Sequence, residues 1–229
     1  MTKLDQFEKK LGITFKNRKL FENVFIHRSY LNEHKRSPLS SNEKLEFLGD
    51  SVLSLVTSVY LYKNYPLLKE GDYTEIKAAI VRTESLTEAA EALQLGDYLY
   101  LSKGQDQEKG RRNKNILADC FEALIAAIFI DQSFETANEF VLKYLFAGKL
   151  DELITSKLYL SPKSRLQEYT QAKFKITPTY KIVEEKGPEH DRIFHVMVII
   201  KGKKYALGSG KSKKEAEEQA ARKTLEKMI

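Results

Sequence analysis

Asn42-Glu-Lys-Leu-Glu-Phe-Leu-Gly-Asp-Ser51 opens a run of helix-forming residues that is broken only at Pro66. A proline removes a backbone donor and clashes with the preceding turn, so the pattern predicts one long helix ending at about Tyr65. Ser40, with Glu43 three residues on, predicts a capping box at its start. On a helix that advances about 100° per residue, Glu43, Glu46 and Asp50 fall within about 60° of one another and form one acidic stripe. Gly49 falls in mid-helix, where a glycine costs about 1 kcal/mol relative to alanine and permits close approach of a neighbour.

A second stretch, Ile116-Leu-Ala-Asp-Cys-Phe-Glu-Ala-Leu-Ile-Ala-Ala-Ile128, puts Asp119 and Glu122 at i and i+3 in a segment apolar on nearly every side. Such a helix is mostly buried. Two carboxylates about 4 Å apart repel by roughly 4 kcal/mol at an effective dielectric of 20, and burying them unpaired adds several more. Something cationic must compensate, and the segment has no Lys or Arg. The candidates are a distant basic side chain or a divalent metal. Carboxylate oxygens without a Cys or His cluster select magnesium or manganese over zinc.

Around these helices lie 229 residues, 42% hydrophobic and 31% charged, enough apolar material for a core and too much for a disordered chain. The lone Cys120 makes no internal disulfide, and residues 1–10 hold no apolar stretch of the signal-peptide kind. A reducing cytoplasmic setting is expected. The most apolar run, Val52 to Tyr62, is interrupted by Ser54, Thr57 and Ser58, which excludes a membrane-spanning helix.

The charge is uneven. Through Leu160 there are 22 basic against 23 acidic residues, and from Ser161 onward 16 against 9. A segment of about 70 residues carrying that excess suits a polyanion, nucleic acid first and an anionic membrane surface second.

Helical spacing pervades the first part: Leu4, Phe7 and Leu11 before Gly12, then Leu20 to Phe25, then segments at 73–83, 85–95, 113–131 and 134–146. Residues 102–112 read as a glycine-bearing loop and 151–160 as a linker. Beyond it the pattern changes. Ser161-Pro162 opens a helix to about Ala172. Residues 180–184, 192–200 and 203–207 then alternate as antiparallel strands, with Lys201-Gly202 as a tight hairpin turn. Ser212 and Glu215 predict a second capping box, at the start of a closing helix. The expected fold is an all-helical domain over residues 1–155 and an α+β domain, in the order α-β-β-β-α, over residues 160–229.

The run Asn42–Ser51 closely resembles the signature of the ribonuclease III family. Its companions follow in family order: His27-Arg-Ser-Tyr30, Glu70-Gly-Asp72, Leu95-Gly-Asp-Tyr-Leu-Tyr-Leu-Ser-Lys-Gly104, Ile116-Leu-Ala-Asp119 and Glu122. By that resemblance Glu46, Asp50, Asp119 and Glu122 are the metal-binding carboxylates of a magnesium-dependent nuclease, in which manganese can substitute. Asp50 and Glu122 act at the catalytic centre. Glu43 and Glu70 match supporting acids nearer its edge. Cations held there activate water for in-line attack on a phosphodiester, leaving 5′-phosphate and 3′-hydroxyl ends. A histidine mechanism is disfavoured, since His27 reads as a packed structural residue.

The resemblance implies a homodimer that cuts both strands of an RNA duplex with short 3′ overhangs, sparing DNA. Phe47 matches a residue that contacts the partner subunit, although as a sequence position it also suits an ordinary core. The tail is similar to a double-stranded-RNA-binding domain. There Gln167, Glu168 and His190 would meet the minor grooves, and Lys211, Lys213 and Lys214 would grip phosphates at a helix start. Three positions depart from the family pattern: Gln105 stands for an acid, Asn115 for a serine and Lys77 for an arginine. The processing of ribosomal RNA precursors and structured messages is the implied role, against a second class, a duplex-RNA-binding regulator that does not cut.

Overall fold

The computed structural model describes residues 2–188 and 191–228, and its Cα positions divide into two compact units between Glu152 and Leu153. The first unit is helical: α1 (Lys3–Leu11), α2 (Arg18–Asn23), α3 (Arg28–Glu33), α4 (Glu43–Asn64), α5 (Glu70–Ile80), α6 (Thr83–Ala92), α7 (Lys103–Gln107), α8 (Lys114–Asp131) and α9 (Phe134–Val141). α10 (Lys149–Thr155) crosses the division.

α8 is the centre of this unit. Cys120, Phe121 and every residue from Ala123 to Ile128 are fully buried, as an all-round apolar helix requires. It packs against α4 and α6. A second part of the core is aromatic: Phe7 meets Phe21 and Phe25, and Phe15 stacks on Phe21 at 4.1 Å. Gly12 ends α1 as predicted, in the left-handed conformation at φ 72°.

Several local expectations change. Asn42, not Ser40, stands before α4, and no side-chain cap forms there. The buried Asn42 side chain donates instead to the Val24 carbonyl (3.1 Å), while its backbone N–H donates to the Ile26 carbonyl (2.8 Å), so tertiary bonding takes the place of a cap. The expected loop at 102–112 contains α7, capped by Ser102, and a 3₁₀ turn over Gly110–Arg112. The predicted helix at 134–146 is α-helical only to Val141 and continues as a π-turn over Leu142–Phe146. Half of the expected linker is helical, as α10. Before residue 160 the only pairing of strand type among the described residues is an isolated parallel bridge between Ile26 and Tyr100.

The second unit follows the predicted order: α11 (Pro162–Phe174), β1 (Thr179–Lys186), β2 (Ile193–Ile200), β3 (Lys203–Gly210) and α12 (Lys213–Met228). The strands form an antiparallel sheet in sequence order. Lys201 and Gly202, both at positive φ (51° and 73°), make the tight turn that the sequence predicts. Val198 and Ile200 point inward with Leu166, Ala220 and Leu225 to form the core between sheet and helices. A β-carbon on Gly208 would lie 2.2 Å from the Ala216 carbonyl oxygen, so this glycine lets α12 lie directly on β3. Among the described residues no helix is long and apolar enough to cross a membrane.

Candidate functional site

α4 and α8 pack backbone to backbone at Gly49, where a β-carbon would meet the Glu122 carbonyl oxygen at 1.9 Å. That approach brings the acids of two helices together. Glu46, Asp119 and Glu122 each offer a carboxylate oxygen, and the three lie within 4.8 Å of one another. All three side chains are partly buried. Among the described residues no ion pair and no side-chain hydrogen bond reaches any of them.

The electrostatics follow from this packing. Burial raises the pKa of Asp119. Glu46 is raised by burial and then by the charges of Asp119, Glu43 and Asp50. Glu122 is pushed up to about 8, by burial first and then by Asp50, Asp119 and Glu46. The compensating cation that the sequence demanded is thus not a lysine or arginine of the described chain. Three converging carboxylates with unspent oxygens fit a hard divalent cation.

The other predicted acids stand apart from this triad. Asp50 is exposed and outside the close group, yet near enough for its charge to be the largest influence on Glu122 after burial. Glu43 accepts from the Ser41 hydroxyl (2.7 Å) and lies 3.7 Å from the Arg28 guanidinium. Glu70, exposed in the first turn of α5, accepts from the Thr74 hydroxyl at 3.2 Å.

Beside the triad a cleft of about 570 Å³ runs from Glu46 and Asp119 to His27, Arg28, Gln105 and Asn115. His27 caps α3: its Nδ1 accepts from the Ser29 backbone N–H (3.2 Å) and lies 2.8 Å from the Ser29 hydroxyl. Burial and then Arg28 lower its pKa. Arg28 was not singled out by the residue pattern. Its one signal was its place in the His27–Tyr30 motif, and only folding sets that motif opposite α8.

In the second unit Gln167 and Glu168 are exposed on α11, and Lys211, Lys213 and Lys214 are exposed at the start of α12. Glu168 pairs with Lys157 at 2.5 Å, Lys211 lies 3.4 Å from Asp191, and Lys213 lies 5.8 Å from the Phe194 ring centre. The Ser212 hydroxyl accepts from the Glu215 N–H, whereas the Glu215 carboxylate reaches back to Lys211 and not to Ser212, so the predicted capping box is only half formed. His190 lies outside the described residues. Phe47 is 78% exposed on α4, which removes the core reading and leaves an apolar ring facing solvent.

Residues 17–149 match the family described as Ribonuclease-III-like, and residues 162–228 match the double-stranded RNA binding motif. A protein named Ribonuclease 3 from Chloroflexus aurantiacus is 45% identical over 225 residues, covering 97% of this chain and 91% of that protein. A crystal structure of the nuclease domain of ribonuclease III from Campylobacter jejuni superposes with a TM-score of 0.59 at 32% identity, covering 65% of this chain and 97% of that one. A second structure of that nuclease domain, described for flexibility in a region involved in dimer formation, gives 0.57 at 33% identity, with 62% and 95% covered. With an acidic triad built between two helices and a duplex-RNA-binding fold following it along the chain, the protein belongs to the ribonuclease III family and is an endoribonuclease with a double-stranded-RNA-binding domain.

Proposed function

We infer that this endoribonuclease hydrolyses phosphodiesters of double-stranded RNA with magnesium as cofactor, manganese substituting, and leaves 5′-phosphate and 3′-hydroxyl ends with short 3′ overhangs. Its substrates are ribosomal RNA precursors and structured messages in the cytoplasm, and DNA is not cut. The observation that carries this reading is the Glu46, Asp119 and Glu122 triad, whose oxygens converge within 4.8 Å with no ion pair to a basic side chain among the described residues.

Glu46, Asp119 and Glu122 hold the cation, with Asp50 at the margin of the group and Glu43 and Glu70 in support. A divalent cation supplies Lewis-acid chemistry when bound, offsetting negative charge on a phosphodiester and making water a better nucleophile. Arg28, across the cleft, holds a substrate phosphate by charge. Its guanidinium lies 3.7 Å from Glu43, which lines the same cleft. The second domain, over residues 160–229 and following a nuclease domain over 1–155, grips the duplex. Gln167, Glu168 and His190 face the minor grooves, and Lys211, Lys213 and Lys214 sit on phosphates, because A-form RNA exposes 2′-hydroxyls and backbone rather than a readable major groove.

The working form is a symmetric dimer with one triad per subunit. The support is Phe47, at 78% exposure, with Leu55 and Tyr62 exposed further along the same helix. A ring of that size facing water favours burial against a second copy.

The test is incubation of the purified protein with a labelled RNA duplex of several tens of base pairs, with magnesium and then with a chelator. Magnesium-dependent cleavage to short duplexes with 5′-phosphates, sparing single strands and DNA, is the expected result. A duplex that is shifted on a gel but uncut under both conditions identifies a regulator that binds without cutting.

A further inference from the structure

Five amide side chains, Asn32, Asn42, Gln105, Asn113 and Asn115, line the cleft beside the triad. Two are consumed by the fold. The Asn42 Nδ2 donates to the Val24 carbonyl, and the Asn113 Oδ1 accepts from the N–H groups of Asn115 and Ile116 as the cap of α8. The other three are not: among the described residues the side chains of Asn32, Gln105 and Asn115 have no hydrogen-bond partner. Gln105 and Asn115 are also two of the positions where the sequence departs from the family pattern, an amide replacing an acid at 105 and a hydroxyl at 115. They lie on separate elements, α7 and α8, yet folding brings them to one cleft with the carboxylates Glu46 and Asp119.

We propose that Gln105 and Asn115 are specificity-determining residues, whose amides read the base edges and 2′-hydroxyls of the nucleotides beside the scissile phosphate. The inference rests on the duplex-RNA endonuclease reading and deepens it. An amide both donates and accepts, whereas a carboxylate only accepts, so exchanging acid for amide adds two donors to this wall. The wide, shallow minor groove of A-form RNA presents acceptors on every base pair and, at a G·C pair, the amino donor of guanine. Neutral amides can meet both kinds of group. They also add no negative charge to a cleft that is already lined by Glu43, Glu46 and Asp119 and must admit a polyanion. Arg28, which lines the same cleft, supplies the charge that fixes the backbone while the amides discriminate.

The test uses the full-length protein and a set of duplexes of one length with a single cleavage site, in which each of the four base pairs is placed in turn at the positions flanking the cut. kcat/KM is measured for the wild type and for Gln105→Ala, Asn115→Ala and the double variant. Thermal unfolding checks that each variant is folded, which is expected because neither amide supports another group. The expected result is a wild-type preference among flanking pairs that falls by about tenfold in the double variant. That loss is confined to the preferred duplexes, with the same magnesium dependence throughout. An unchanged order of preference, a uniform loss over all duplexes, or a wild type indifferent to the flanking pairs each overturns the proposal while leaving the endonuclease reading intact. Wild-type protein that binds these duplexes without cutting them overturns that reading and this one with it.

Discussion

At Glu122, burial and three neighbouring carboxylates hold the pKa at about 8, against an ordinary value of 4.5. Between those two values the folded state binds a proton that the unfolded chain has already released. In the absence of metal, the contribution of this residue is therefore fully present below about pH 4.5 and is lost as the pH rises through about 8. Glu46 and Asp119, raised in the same direction, add to the slope. Thermal unfolding in a chelator should show the wild type losing several degrees of Tm between about pH 5 and about pH 8, on the order of 2 kcal/mol. Magnesium should restore it at the upper pH. Glu122→Gln, neutral throughout, should flatten most of that slope, and an unaltered slope would assign it elsewhere. The same variant should lower kcat on duplex RNA by at least roughly 10²–10³-fold while binding the duplex as tightly as the wild type. Cleavage at the wild-type rate would remove Glu122 from the metal site.

Helix α4 brings Glu46 to Asp119 and Glu122 through its packing on α8. At Gly49 its backbone lies directly against that of Glu122, and replacement of this glycine has two opposed effects. Alanine in mid-helix gains about 1 kcal/mol of propensity. Its β-carbon, however, would enter the Glu122 carbonyl at 1.9 Å, and a backbone atom cannot rotate away as a flexible side chain can. The helices must separate. Gly49→Ala should therefore destabilise the nuclease domain by on the order of 3 kcal/mol and weaken cation binding together with it, measured by urea unfolding and by calorimetric titration with manganese. A variant as stable as the wild type would show that α4 and α8 do not need this close approach. Along the same helix Phe47 faces solvent. Phe47→Ala should leave monomer stability nearly unchanged and weaken self-association by about 2–4 kcal/mol, seen by sedimentation as a monomer at concentrations where the wild type is a dimer. A monomeric wild type at micromolar concentration would sink the dimer.

Across the whole molecule the two units divide the labour by charge. Residues 1–160 are nearly neutral and hold the acidic triad, while residues 161–229 carry the basic excess. A nuclease centre made of acids repels its own substrate, and a basic domain on the same chain offsets that repulsion by holding the polyanion. Deleting Ser161 to Ile229 should weaken duplex binding and lower the slope of log affinity against log salt by roughly 3, about one for each phosphate that Lys211, Lys213 and Lys214 would neutralise. Cleavage by the remaining nuclease domain should persist at low salt. Equal salt slopes for the intact and truncated proteins would show that these lysines do not touch phosphate.

Periodicity and charge by themselves determined the two-part organisation, the helix–sheet–helix tail and the presence of acids on two largely apolar helices, because apolar spacing and an unpaired carboxylate in an apolar helix are local signals carried by neighbouring residues. The Lys201-Gly202 turn and the Gly12 stop were legible for the same reason, since each depends on the conformation of one or two residues. The start of α4 was not: the Ser40 box gave way to Asn42, whose side chain is drawn into the core by Val24, a partner 18 residues away. Nor could spacing reveal that Glu46, Asp119 and Glu122 converge while Asp50 stands beside them, that Phe47 faces water, or that Arg28, Gln105 and Asn115 share one cleft with Glu46 and Asp119. Those facts depend on how closely α4 and α8 pack where Gly49 meets Glu122, and two residues so distant in sequence become neighbours only once the chain has folded.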